Sequence, residues 1–224
     1  MLPSDLKMVI FDLDGTLYSL SRLRSLVVRD LLLYYMWRPH RWRELQYIRR
    51  FRSLREALGD QTHSNLADYQ YEITAQDTGG KKEQIKKTIE EWMIRRPIKH
   101  LRTLQYEEVN PIFEQLRTAD IKIAIFSDFP ADEKLAGMGL KADYVLDATH
   151  PAVDQLKPHP RGLQYLMEQS GFAAEQCLFV GDRDDRDGEA ARRAAMPYWV
   201  LPAGERPLEA LLEALKQAFP NNKW

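Results

Sequence analysis

Short, continuously apolar runs separated by amphipathic stretches mark the two outer parts of this chain. Four runs rich in β-formers lie at residues 7–12, 121–127, 176–182 and 197–201, and a weaker fifth lies at 142–147. Their apolar positions do not alternate with polar ones, which predicts strands covered on both faces, as in a parallel sheet. Between the runs, helical spacing of apolar residues predicts helices over 107–119, 160–170, 188–195 and 207–219, the last carrying Leu208, Leu211, Leu212 and Leu215. Strands alternating with helices predict an α/β fold: a parallel sheet of about five strands with helices on both faces.

The middle of the chain reads differently. No convincing strand occurs between residues 19 and 100. Helix-like stretches at 21–37, 40–58, 64–77 and 81–95 are punctuated by Pro39, Gly59-Asp60 and Gly79-Gly80. The expected organisation is therefore a core of residues 1–18 and 101–224, interrupted by an all-helical insertion of residues 19–100. There is no internal repeat and no low-complexity segment.

Charge sharpens this division. The 224 residues carry a net charge of -1, which argues against a general nucleic-acid binder. Residues 19–100, however, hold 17 Lys and Arg against 10 Asp and Glu, a surplus of +7 that leaves -8 for the rest. The single cysteine, Cys177, sits in an apolar run and predicts a small buried thiol, which fits a reducing, cytoplasmic setting. Neither a signal peptide nor a membrane span is expected: the most apolar helical stretch, 26–37, is short and contains Arg29 and Asp30.

The candidate chemistry gathers at the strand ends. Phe11-Asp12-Leu13-Asp14-Gly15-Thr16 places two carboxylates two residues apart as the first strand ends, with a glycine to turn the backbone and a hydroxyl beside it. Such a layout suits a site that handles phosphate with a metal, although Asp and Gly also end strands for conformational reasons alone. The second strand ends in Ser127-Asp128, the loop after the third carries Lys157-Pro158, and the fourth ends in Gly181-Asp182-Arg183-Asp184-Asp185-Arg186-Asp187-Gly188. Taken singly, the serine suits a turn, the lysine a solvated loop and the acidic run a helix N-terminus. In open α/β sheets, ligands bind outside the carboxyl ends of the strands, where all four signatures fall.

In this order the motifs Asp12-x-Asp14-Gly15-Thr16, Ser127, Lys157-Pro158 and Gly181-Asp182 with Asp187 resemble those of the haloacid dehalogenase superfamily of aspartate-nucleophile hydrolases. The resemblance covers the chain outside the insertion. It implies a Rossmann-like core with a helical cap inserted after the first motif. Asp12 would be the nucleophile, Asp14 the general acid and later base, and Ser127 and Lys157 the partners of the transferring phosphoryl group, with Asp128, Gly15 and Thr16 around the phosphate. Mg²⁺ would be held by Asp12, Asp182, the Asp14 carbonyl and, through water, Asp187; Asp185 is the second choice for that last acid and Asp184 a further candidate. With Asp14 protonated by its crowded surroundings, Asp12, Asp182, Asp187 and Lys157 leave a charge of -2, which one Mg²⁺ would cancel. The family's dehalogenases lack the second aspartate and need no metal. Where the family often has glycine, this chain has Ala195, which predicts a differently shaped turn there.

A Mg²⁺-dependent phosphatase of a small phosphorylated metabolite is thus the expected function. A phosphomutase using the same two aspartates is the enzymatic alternative, and a catalytically silent binding protein with a basic cap the non-enzymatic one. Residues 38–52 interleave arginines with aromatics and lie next to the apolar stretch 31–37. Residues 38–52 fit a solvated helix over an aromatic core, but also an anionic substrate or an anionic surface such as phospholipid or nucleic acid, and the apolar stretch 31–37 fits core packing or a homodimer contact as well as a lipid-phosphate or other hydrophobic substrate. Specific nucleic-acid binding is not expected, and the protein is expected as monomer or homodimer. His159 is placed near Lys157 by sequence, but loop histidines beside proline are commonly solvated. No residues have zinc spacing, and there is no P-loop.

Overall fold

A computed structural model describes residues 2–59, 65–202, 204 and 206–220. Asp60 of one expected helix break and Ser64 at the start of an expected helix lie outside the described residues. Five parallel strands, β1 (Met8–Phe11), β2 (Lys122–Ser127), β3 (Tyr144–Asp147), β4 (Cys177–Gly181) and β5 (Tyr198–Val200), form one sheet in the order β3-β2-β1-β4-β5. The chain winds outward from β1 through β2 to β3, then returns to the other side of β1 for β4 and β5. That reversal makes β1 the central strand and puts the ends of β2 and β4 on either side of it.

Both faces of the sheet are covered, which explains the unbroken apolar runs. Val9, Phe11, Ile123, Ile125, Leu178 and Val180 point to one side, towards helices α6 (Val109–Thr118), α7 (Asp132–Met138) and α10 (Glu209–Ala218). Met8, Ile10, Ala124, Phe126, Cys177 and Phe179 point to the other, towards α8 (Arg161–Ser170) and α9 (Glu189–Arg193). Close approach is needed on that second side: a Cβ on Gly162 of α8 would overlap the Phe126 ring.

Between β1 and α6 the named elements among the described residues are helical: α1 (Leu20–Met36), a 3₁₀ turn at Pro39–Arg41, α2 (Arg43–Leu58), α3 (Leu66–Thr78), α4 (Lys82–Ile89) and α5 (Arg96–Leu104). Its own core contains Tyr47, Phe51, Tyr71 and Trp92, with the Phe51 and Tyr71 rings stacked at 5.2 Å. At the base, Tyr18 and Gln105 form an isolated antiparallel bridge, and Ser19 N–H donates to the Leu104 carbonyl at 3.0 Å, so the segment leaves and re-enters side by side.

Three local features differ from the sequence expectation. The helix expected over 81–95 does not stop before Pro97; a wide π-turn over Glu90–Arg95 joins α4 to α5 and accommodates a residue that has no N–H to donate. Helix α7 was not expected, because its seven residues hold only Leu135 and Met138 as buried apolar periodicity. Ala195 holds a left-handed turn after α9, at φ 52°, with Met196 N–H donating to the Ala191 carbonyl at 2.9 Å, a conformation that ordinarily favours glycine.

Candidate active site

Asp12 leaves the sheet paired to it, its N–H donating to the Val180 carbonyl at 2.8 Å, and its side chain is buried. Lys157 Nζ donates to Asp12 Oδ1 at 2.5 Å and to Asp187 Oδ1 at 2.7 Å, while Thr16 Oγ1 donates to Asp12 Oδ2 at 3.0 Å. Asp187 is fixed in turn by the Arg183 N–H, 3.0 Å from its Oδ2. Two glycines make room for this cluster. Gly15, at φ 112°, passes so close to Asp182 that a Cβ there would overlap its carboxylate, and a Cβ on Gly181 would overlap Asp187.

Carboxylate oxygens of Asp12, Asp182 and Asp187 lie within 4.8 Å of one another. Burial, followed by the neighbouring Asp187, pushes the Asp182 carboxyl up to about 6. Burial also raises the Asp12 carboxyl well above its ordinary value, against the pull of Lys157. Three acids around one ammonium are short of positive charge, and oxygen donors at this spacing fit a hard divalent cation such as Mg²⁺. Of the acids in the fourth strand's loop, only Asp182 and Asp187 reach this cluster. Asp185 is exposed and paired with Arg183, and Asp184 is paired with Arg192 at 2.9 Å.

Asp14 is held in a way the sequence did not reveal. Lys134 Nζ, on α7, donates to both its carboxylate oxygens at 2.6 and 2.7 Å, and the Tyr18 hydroxyl donates to Oδ1. Burial would raise the Asp14 carboxyl, yet Lys134 and then Tyr18 outweigh it and leave the carboxyl below its ordinary value. The expectation that crowding keeps Asp14 protonated is therefore reversed: the nearest charge is a cation, not an anion. The overall charge is unchanged, since Lys134 now neutralises Asp14 where a proton was expected to. Tyr18 stands four residues after Asp14, and Lys134 lies in the first turn of α7, seven residues after Ser127. Position near the strand ends was the available signal for both.

The other expected residues lie at the same strand ends or brace the loops around them. Ser127 is fully buried; its Oγ accepts from the Phe129 N–H at 3.2 Å, and its own O–H has no acceptor among the described residues. Asp128 braces the lysine loop, with its Oδ1 accepting from the Lys157 N–H at 3.1 Å. His159 stands apart: its Nδ1 accepts from the Arg161 N–H at the start of α8.

A cavity of about 570 Å³ lies between the strand ends and the helical segment, with Asp14, Tyr18, Asp128 and Lys134 on the core side and residues of α1 and α2 opposite. The helical segment is tied down around it. Arg55 of α2, buried over the Phe129 ring, donates to the Asp128 carbonyl and to Gln70 Oε1. Arg186 bridges the Lys157 carbonyl at 2.7 Å and the Glu56 carbonyl at 2.8 Å. Asp154 accepts from the N–H groups of Asn65 and Leu66 as α3 begins. Within residues 38–52, Tyr47 and Phe51 are buried, Arg41 and Arg50 are ion-paired, and Arg49 and Arg52 border the cavity. A second cavity, of about 800 Å³, is enclosed by the helical segment alone and contains none of the motif residues.

The central strand of this α/β sheet thus ends in two aspartates beside a buried serine, a buried lysine and a further acidic pair. Residues 6–195 match the haloacid dehalogenase-like hydrolase family, and the chain belongs to it. It is 31% identical over 85 residues to a phosphoglycolate phosphatase of Colwellia psychrerythraea, a match covering 37% of this chain and only 38% of that protein. Among solved structures, a β-phosphoglucomutase from Clostridium difficile superposes with a TM-score of 0.63 at 16% identity, over 96% of this chain and 97% of its own. A 2-haloacid dehalogenase from Pseudomonas syringae superposes with a TM-score of 0.62 at 18% identity, over 95% and 99%. Proteins named for such different chemistry share this fold. No helix among the described residues is long and apolar enough to cross a membrane.

Proposed function

We propose that this protein is a Mg²⁺-dependent phosphomonoester hydrolase working through an aspartyl-phosphate on Asp12. The observation that carries this reading is the Asp14 carboxylate on the cavity floor, two residues from a buried Asp12 that is paired with Lys157. A departing halide needs no proton, whereas a departing alkoxide does, and Asp14 is the group placed to give one.

On this reading the Asp12 carboxylate attacks phosphorus, an acyl-phosphate bond forms, and the bond from phosphorus to the alcohol oxygen breaks. Lys157 orients Asp12 and draws it towards its ionised form against burial, which the charge of a bound cation would complete; Thr16 fixes the other Asp12 oxygen, and the unused Ser127 hydroxyl donates to a phosphoryl oxygen. Asp14 is ionised while it holds Lys134. A phosphate anion entering the cavity competes for that ammonium; burial then favours the protonated carboxyl, so Asp14 takes up one proton from solvent water as the substrate seats and passes that proton to the leaving alcohol. In the second half, Asp14 takes a proton from water as the water opens the acyl-phosphate and phosphate departs. Mg²⁺, held by Asp12, Asp182, Asp187 and the Asp14 carbonyl, would supply the positive charge the three acids lack. The helical segment acts as a cap that keeps bulk water out, and the protein works on a small phosphorylated substrate in the cytoplasm.

Release of inorganic phosphate from p-nitrophenyl phosphate tests this. Turnover is expected with Mg²⁺, to vanish in excess EDTA, and to fall by roughly 10³-fold or more in Asp12→Asn. Undiminished turnover in EDTA would overturn the mechanism. Conversion of a sugar phosphate into its isomer without phosphate release would assign the same residues to a mutase.

A further inference from the structure

The cavity above Asp14 changes character along its length. At the floor it is charged, with Asp14, Asp128 and Lys134; along α1 it is lined by Leu20, Leu23, Val27 and Leu31, spaced three and four residues apart so that one face of the helix is turned towards it. Ile48 of α2 and Met93 of the π-turn add to the apolar wall. At the mouth the lining reaches Val28 and Leu45, which are 50% and 38% exposed, and from there the outer side of α1 continues apolar through Leu32 and Met36. An apolar track therefore runs from Asp14 and Lys134 to the surface.

Basic groups accompany it. Arg24, Arg49 and Arg52 border the cavity and have no ion-pair or hydrogen-bond partner among the described residues. Glu56, the acid on this wall, is already engaged by Arg183 and Arg186. The walls thus offer uncompensated positive charge and apolar surface, and a ligand complementary to both is an anion with a hydrocarbon body. A polar metabolite covered with hydroxyls would leave its oxygens facing leucine and valine without hydrogen-bond partners.

We infer that the substrate is the phosphate monoester of an aliphatic alcohol, its phosphate on the floor between Asp12 and Asp14 and its chain laid along α1 towards Val28. This rests on the hydrolase reading above and narrows it to a substrate class. Arg24, Arg49 and Arg52 draw the anion inward, and the chain replaces water on the α1 wall.

Phosphate release from ethyl, butyl, hexyl and octyl phosphate, each below its micelle-forming concentration and with Mg²⁺ present, tests the inference, with glycerol phosphate as the polar comparison. The expected kcat/KM climbs with each added methylene, by up to about fourfold, until the chain reaches the mouth, and glycerol phosphate falls below butyl phosphate. Leu31→Asn flattens the climb, whereas Leu33→Asn, on the exposed side of α1 away from the cavity, keeps it. Should Leu31→Asn fail to fold, Val28→Asn at the half-exposed mouth carries the same comparison. A flat or falling series with measurable release from ethyl phosphate overturns the aliphatic substrate and leaves the hydrolase standing, even if sedimentation then shows two copies joined through this face. No release from any ester overturns the hydrolase reading and this inference with it.

Discussion

Lys134 and Asp14 form the residue-scale feature on which the site's charge balance turns. The ammonium is almost wholly buried, and it bonds both oxygens of a carboxylate that burial alone would drive towards its neutral form. Removing one member of such a pair leaves an uncompensated charge, so Lys134→Met is expected to cost about 3 kcal/mol in urea unfolding. Asp14→Asn in the same chain is expected to restore most of that loss; a double variant as unstable as the two single costs summed would show that the pair is not coupled. Cys177 gives a second measurement. Burial, then nearby Glu175, pushes its thiol up to about 12 from an ordinary value near 9. A raised folded value means the native state holds the proton longer than the unfolded state does. The corresponding stability is complete below about pH 9 and is lost as pH rises towards 12, by at most about 1.4 kcal/mol per pH unit. The urea midpoint should therefore fall more steeply over that range in the parent than in Cys177→Ala, and equal slopes would contradict the shift.

At the scale of elements, the packing of α8 on the sheet depends on the absence of a side chain at Gly162, since a Cβ there would meet the Phe126 ring. Gly162→Ala is expected to force the helix outward and lower unfolding stability by about 1–3 kcal/mol, read from the urea midpoint; an unchanged midpoint would show that the ring moves freely. The strands and most of the helices could be read from sequence because apolar runs and 3.6-residue spacing record which faces are buried. Short elements left a weaker trace: α7 is too brief for its period to show, and the π-turn before Pro97 looked like an ending. The same reasoning divides the site. Asp12, Ser127, Lys157 and Asp182 were legible because parallel strands all end on one edge, whatever the details of packing. Lys134, Tyr18 and Arg55 were not, because their arrival depends on how α7, the base of the helical segment and α2 settle against the core. The local sequence around each is unremarkable for a solvated helix or linker.

For the molecule as a whole, the reversal of winding about β1 gathers Asp12, Asp14, Ser127 and Asp182 at one edge, and the helical segment covers that edge over a cavity that opens beside α1. Its ties are mostly made by arginines reaching across: Arg55 to the loop after β2, and Arg186 between Glu56 and the Lys157 carbonyl. The loop that carries Asp187 therefore also anchors α2, so seating of the segment and placement of the acid cluster depend on the same few residues. The basic surplus of the middle of the chain is thereby sorted. Part of it is spent inside the segment on Glu44 and Asp77, part fastens the segment to the core, and Arg24, Arg49 and Arg52 remain facing the cavity.

The central claim is that Asp12 becomes phosphorylated during turnover, and rapid acid quenching of the enzyme with p-nitrophenyl phosphate and Mg²⁺, followed by peptide mass mapping, examines it directly. The account predicts the added mass of one phosphoryl group on the peptide containing Asp12, labile to mild base and lacking in Asp12→Asn. Phosphate release at full rate with no label on that peptide, or with the label on another residue, would contradict it.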